Sequence, residues 1–339
     1  MFGKFIKNQC ISTFNKKWQG KKIKFCSKIY SQALQTRYDE PFCSESPSCF
    51  INYSAYEKEN PVFKFSNYIK NIENWLEQNN EGHGPCSTCQ FAVELEPQLS
   101  EQIVKKFVIN HYTLCALNCI YCRIREKSFQ CDTKMKKFIL SLEKSGLLDK
   151  DCVFEWNGGE PALYDEFESI YAFLNSKGYH QVIYTSGVKY SSVASDYEYL
   201  SLFEGVLKNG DTLIVSPDSG TERCFEGIKR SYCFEQVWEN IAYFASLQKD
   251  FVVKYTIFSL NSQKAEVEAF VKKCIEFGVK KVIVDCETSS IAGQHPHPIV
   301  ITEKEVIGAK HLKKLCEENN IVCEVGPNWT YELANKICE

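Results

Sequence analysis

The sequence predicts an α/β protein in which a parallel sheet carries its helices outside. Three observations point that way. From residue 106 onward, short β-branched runs alternate with segments of helical periodicity, six times in order, as repeated β-α units do. The length of 339 residues and the hydrophobic fraction of 44% allow one large domain of this kind with a smaller one beside it. Glycine, asparagine, serine and proline gather just after several of the expected strands. Periodicity does not separate an open sheet from a curved barrel. In either, chemistry belongs at the C-terminal ends of the strands.

The elements follow in order. Residues 106–114 (KFVINHYTL) are β-branched and aromatic and read as the first strand. Residues 134–145 have helical apolar spacing. Residues 153–156 form a short strand that runs into Asn157, Gly158 and Gly159. A helix over 164–176 and a strand over 181–185 come next, then a helix over 192–203 and a strand over 212–216. Residues 221–248 read as helical with a break near Lys229. A strand over 251–258, an amphipathic helix over 264–277, a strand over 281–286, a helix over 303–318 and a last short strand over 321–325 complete the series. Residues 1–105 differ, with strand-like pieces, scattered aromatics and one helix over 65–77. They are expected to form a small cysteine-containing α+β domain beside the main one at 106–339.

Composition excludes several classes. No run of about 18 apolar residues appears, so no membrane span is expected. The lysine-rich N-terminus lacks the apolar stretch of a secretory signal, which makes the cytoplasm the expected compartment. Residues 1–38 carry eight lysines and Arg37 with no Asp or Glu, within a net charge of −3. A solvated basic face accounts for this better than nucleic-acid binding. The 18 cysteines are too many to ignore, yet the chain is too long and too apolar for a secreted disulfide scaffold. In a reducing compartment, closely spaced cysteines bind metal or do redox chemistry, and isolated ones fill cores.

Spacing separates the two kinds. Cys115, Cys119 and Cys122 stand in a C-x3-C-x2-C loop directly after the first strand, with Tyr121 before the last cysteine. Three thiolates on a cubane leave one of four irons open, as catalysis requires. A structural zinc site would need a fourth ligand, nominally His111 or Cys131. The second strand ends in Gly158, Gly159, Glu160 and Pro161, where glycines allow close backbone approach and proline suits the start of a helix.

These two motifs, 36 residues apart from Cys122 to Gly158, resemble those of the radical S-adenosylmethionine (SAM) superfamily. The resemblance implies a partial (β/α)6 TIM-like barrel over 106–339. It also implies a 4Fe–4S cluster on Cys115, Cys119 and Cys122 and SAM bound at its open iron. SAM would be cleaved reductively to a 5′-deoxyadenosyl radical that takes hydrogen from a substrate, with a reducing partner such as flavodoxin or ferredoxin. Gly158, Gly159 and Glu160 would hold the methionyl ammonium, with Tyr121 beside the cluster. Ser186, in Thr185-Ser186-Gly187, would meet the SAM carboxylate. Ser216 and Asp218 would reach the ribose, unless that segment is simply a helix N-cap. Lys254 could point inward as a carboxylate partner. No glycine motif follows the fifth strand, so adenine contact there is doubtful and would fall to Ile257.

The N-terminal region partly resembles the SPASM/twitch domains that hold auxiliary clusters. Cys10 and Cys26 flank a turn expected at 15–20, and Cys86 and Cys89 form a later C-x2-C. Four such cysteines suit an auxiliary iron–sulfur cluster or zinc equally in number, and no metal is the third alternative. Cys286 could donate hydrogen to a substrate radical, though a buried filler is the plainer role. His295 and His297 lie in a loop expected over the mouth. SPASM-like neighbours suggest a peptide or protein substrate, with a carbohydrate or cell-surface precursor as the alternative. A non-catalytic electron-transfer or nucleic-acid-binding protein is a third reading.

Overall fold

The computed structural model describes residues 2–26, 33–37, 65–84, 92–99, 104–110, 112–122, 135–146, 148–188, 196–286, 301–329 and 331–338. The elements in order are α1 (Phe2–Trp18), β1 (Ile23–Cys26), β2 (Ala33–Arg37), α2 (Phe65–Asn80), β3 (Ala92–Leu95) and β4 (Val104–Asn110). Then come α3 (Met135–Lys144), β5 (Leu148–Trp156), α4 (Phe167–Ser176), β6 (Gln181–Thr185), α5 (Asp196–Lys208) and β7 (Thr212–Val215). The chain continues with α6 (Glu222–Lys229), α7 (Phe234–Ser246), β8 (Phe251–Ile257), α8 (Lys264–Glu276), β9 (Lys281–Cys286), α9 (Glu303–Glu318), β10 (Val322–Val325) and α10 (Tyr331–Cys338).

Eight strands make one parallel sheet in the order β10-β9-β8-β7-β6-β5-β4-β2. From β4 to β10 the order never reverses. Right-handed crossovers therefore carry the helices between β4 and β10 to the same face, and the twist curls the sheet around the other. The result is a partial barrel, not closed between β2 and β10. The edge strand β2 comes from the N-terminal region and pairs with β4 from Ala33↔Lys106 to Arg37↔Asn110.

The two faces differ as their alternation dictates. Toward the helices point Phe107, Phe154, Trp156, Val253 and Tyr255, each at most 0% exposed. Trp156 meets Phe167 of α4 edge-on at 4.7 Å, and Tyr255 meets Phe270 of α8 at 4.4 Å. The concave face mixes aliphatic side chains such as Val108 and Ile283 with charged pairs. Lys106 pairs with Glu155 at 2.6 Å, Tyr184 donates to Glu155 at 3.2 Å, and Lys254 pairs with Asp285 at 3.2 Å.

In the N-terminal segments α2 packs on β1 of the antiparallel pair β1–β3, and α1 packs on α2. The expected turn at 15–20 is instead the end of a helix. Ile11, Phe14 and Trp18 recur at helical spacing and are all buried, and Gly20 at φ +74° lets the chain leave the helix. Cys10 thus lies on a helix and not on a hairpin strand. The first barrel strand also ends early, at Asn110, because Tyr112 is pulled into the core and stacks on Tyr164 at 5.4 Å. The helix expected over 221–248 breaks at Arg230, which takes φ +51°.

Candidate functional site

The cysteine loop lies at the C-terminal end of β4, and the turn after β5 docks directly on it. Gly159 N donates to Tyr112 O at 2.8 Å, Glu160 N donates to Leu114 O at 2.7 Å, and Gly158 N donates to the Tyr112 hydroxyl at 3.2 Å. The approach is so close that a β-carbon on Gly159 would sit 2.2 Å from Leu114 O. Only glycine fits there, which gives the Gly-Gly pair a steric reason. The two sequence motifs are one hydrogen-bonded body.

Glu160 does not reach outward to the mouth. It is 1% exposed and caps the short 3-10 turn Pro161–Leu163. Its carboxylate accepts from Ser186 N at 2.7 Å, Ser186 Oγ at 2.6 Å and Thr185 Oγ1 at 2.8 and 2.9 Å. Burial pushes its pKa up, while the Ser186 and Thr185 donors oppose the rise. Glu160 therefore brings Ser186 to it and ties the turn after β5 to the turn after β6.

The remaining residues separate. Ser216 is half-buried, one residue past the end of β7. Asp218 is 0% exposed, so it presents no surface to a ribose. It sits at φ +54° and accepts from Tyr121 and Lys229, each at 2.5 Å, and from Thr256 N at 2.7 Å. Ile257 does not line the mouth either. It is 1% exposed, on the face that packs against Gly308 of α9. Lys254 does point to the concave face, held by Asp285. Cys286 is buried at the end of β9. His111, Cys131, His295, His297, Cys86 and Cys89 lie outside the described residues.

The donor set fits a cluster. Cys115, Cys119 and Cys122 lie on one loop in no disulfide, all partly exposed, and Cys122 N closes a turn on Cys119 O at 3.1 Å. Among the described residues, no three His, Cys, Asp or Glu side chains converge as a single ion requires. A cubane would give each thiolate its own iron, so three cysteines on one loop supply the ligands that it needs. Burial pushes the Cys115 and Cys119 thiols up, so their ionisation needs a strong cationic partner, which cluster iron supplies. Thr113 Oγ1, buried two residues before Cys115, has no partner among the described residues and suits a group seated there.

Several functional positions were not legible in the sequence. Tyr112 and Thr185 are ordinary strand-end residues until the backbone brings them to Gly158 and Glu160. Lys229 looked like a helix break, with no sign that its side chain turns inward.

The model of the radical SAM superfamily matches residues 109–274. No curated protein matches the sequence. Among solved structures, SuiB of Streptococcus suis is 11% identical, with 77% of this chain and 54% of SuiB covered and a TM-score of 0.51. The chain thus spans about half the length of SuiB, and at that identity the likeness shows the fold alone. The AdoMet-bound anSMEcpe is 16% identical over 65% of this chain and 63% of its own, with a TM-score of 0.48. TYW1 with a lysine-pyruvate adduct is 14% identical over 62% and 71%, with a TM-score of 0.42. The matched segment contains both the cysteine loop and the turn that docks on it, and the chain carries a radical SAM domain over those residues, of a superfamily that works with a 4Fe–4S cluster and SAM.

Proposed function

We propose that this enzyme cleaves SAM reductively at a 4Fe–4S cluster on Cys115, Cys119 and Cys122 and takes hydrogen from a peptide or protein substrate. The observation that carries the first half is the docking of Gly158–Glu160 on the cysteine-loop backbone, through Glu160 N to Leu114 O at 2.7 Å. It makes the cluster ligands and the expected SAM-binding turn a single rigid unit, as differential binding of a reacting pair requires. The bound groups would supply one electron and a 5′-deoxyadenosyl radical. The protein's own residues then have three tasks. The cysteines hold the cluster, Glu160 fixes Ser186 at the mouth, and the paired charges of the concave face lie in the floor beneath it. The peptide half rests on that floor and on analogy, since SuiB has been crystallised with its precursor peptide SuiA.

Anaerobic reconstitution with iron and sulfide, followed by SAM and dithionite, should yield 5′-deoxyadenosine. An intact cluster that gives none overturns the reading. Candidate peptides should raise the rate of SAM cleavage, whereas activation by a sugar donor alone would overturn the peptide half. We further propose that Cys26, Cys86 and Cys89 belong to a second metal centre, with Cys10 as the remaining candidate.

A further inference from the structure

Behind the cysteine loop lies a buried ion pair that the cleavage reaction as described does not use. Lys229, the last residue of α6, is 2% exposed, and Asp218 is 0% exposed. Lys229 Nζ lies 2.5 Å from Asp218 Oδ2 and donates to the Tyr121 hydroxyl at 2.9 Å. The Tyr121 hydroxyl donates in turn to the same Oδ2 at 2.5 Å, and the ammonium lies 5.3 Å from the Tyr121 ring centroid. Tyr121 sits between Ile120 and the cluster ligand Cys122. The main chain repeats the link, because Asn118 N donates to Lys229 O at 3.1 Å and Ile120 N donates to Ile228 O at 2.9 Å. Cys119 is therefore bracketed by two residues bound to the end of α6.

Such a pair is costly to build. Two desolvated charges stabilise a fold less than apolar side chains of the same volume do. Asp218 adds a left-handed backbone, unusual for a residue other than glycine. Packing alone does not explain it, and the backbone links already hold the loop without either side chain. What the side chains add is charge. The Lys229 ammonium faces the Asp218 carboxylate and the Tyr121 hydroxyl, one residue from Cys122.

We propose that Lys229, held by Asp218, is a positioning residue for the cluster, a fixed buried cation behind Cys119 that raises the potential at which the cluster accepts its electron. The inference rests on the cluster assignment above. Net charge and hydrogen bonding near the sulfurs set such potentials. A cation favours the reduced cluster, and an anion disfavours it.

Charge and structure make different predictions, which redox titration followed by electron paramagnetic resonance separates. The Lys229→Met variant removes the cation and should titrate at lower potential than wild type. The Asp218→Asn variant removes the anion and should titrate higher. The double variant, a neutral pair of similar volume, should titrate between the two single variants and below wild type, because the cation outweighs the anion at the cluster. Iron content and circular dichroism of each protein report loading and fold. Should Lys229→Met not fold, Asp218→Asn and the double variant still decide, since a purely structural role predicts no upward shift that the second substitution cancels. Shifts of the same sign in both single variants, or wild-type potentials in all, overturn the inference while leaving the cluster assignment intact. Wild-type protein that takes up no cluster overturns both.

Discussion

Glycine and glutamate carry the site at the scale of single residues. Replacing Gly159 by alanine puts a methyl group 2.2 Å from Leu114 O, a backbone atom fixed next to Cys115. The loop must shift, at a cost of about 1–3 kcal/mol or more. The Gly159→Ala protein should melt lower than wild type and bind less iron on reconstitution, measured by calorimetry and iron assay. Glu160 makes a different prediction, with a definite sign. Its raised pKa means that the folded protein takes up this proton more readily than the unfolded chain, whose value is near 4.5. The stability it contributes is fully present below that value and is lost as pH rises through the raised one. Glutamine imitates the protonated acid and does not titrate. Wild type without its cofactors should therefore lose stability relative to Glu160→Gln as pH rises from about 4 toward 7, read from paired denaturant unfolding curves. The same variant turns an amide toward the Ser186 donors and should weaken SAM binding at least about tenfold, one lost charged hydrogen bond.

Elements explain what was legible and what was not. Strands β6 and β9 and helix α9 were readable to the residue, because each has clean alternation or periodicity between strong stop signals. The strand β4 was misjudged at its end, since Tyr112 looks like a strand residue and is drawn off only by its contact with Tyr164 and Gly159. Helix α1 was missed because a cysteine and a glycine at suggestive spacing outweighed the buried row Ile11, Phe14 and Trp18. The cysteine loop and the Gly-Gly-Glu-Pro turn were legible because their chemistry is local. The roles of Asp218 and Ile257 were not, because which way a residue past a strand end turns depends on distant partners such as Lys229 and Gly308. One such distant partner holds the turn after β7. Glu266, in the first turn of α8, accepts from Ser219 Oγ at 2.8 Å, Gly220 N at 2.7 Å, Thr221 N at 3.2 Å and Thr221 Oγ1 at 2.7 Å. Glu266→Ala leaves these donors without that acceptor and should cost about 3 kcal/mol in urea unfolding. Asp218 lies in the same turn, so the variant should also change the spectrum of a reconstituted cluster. A stability loss near zero would show that water replaces the carboxylate and that the turn holds itself.

At the scale of the whole molecule, the N-terminal segments pose the question of what fixes so small a unit. Phe14, Trp18, Phe25 and Leu76 form its core, with Phe25 and Trp75 edge-on at 6.2 Å and Asn15 bonded both ways to Leu99 at 2.7 and 2.9 Å. Its sheet is only β1 and β3, four residues each. A two-stranded pair is marginal on its own, and these side chains gain support from a core continuous with that of the barrel. The register supplies a place for a staple as well. Cys26, the last residue of β1, pairs with Ala92, the first of β3, and Cys89 precedes Ala92 by three residues in the chain. The strand ends that a bridging metal would clamp are thus the ends nearest the C-x2-C motif. Three measurements on the whole chain follow from this. Replacing Cys115, Cys119 and Cys122 by alanine should remove the SAM-cleaving cluster and leave a residue of bound iron or zinc. Replacing Cys86 and Cys89 should remove that residue, spare the first cluster's spectrum, and lower the melting temperature of the metal-loaded protein. Elemental analysis also identifies the metal, since the variant without Cys115, Cys119 and Cys122 retains iron if the second centre is a cluster and only zinc if it is a zinc site. Metal content equal to wild type after loss of Cys86 and Cys89 would refute the second centre, and the small core would then have to hold β1 and β3 together by packing alone.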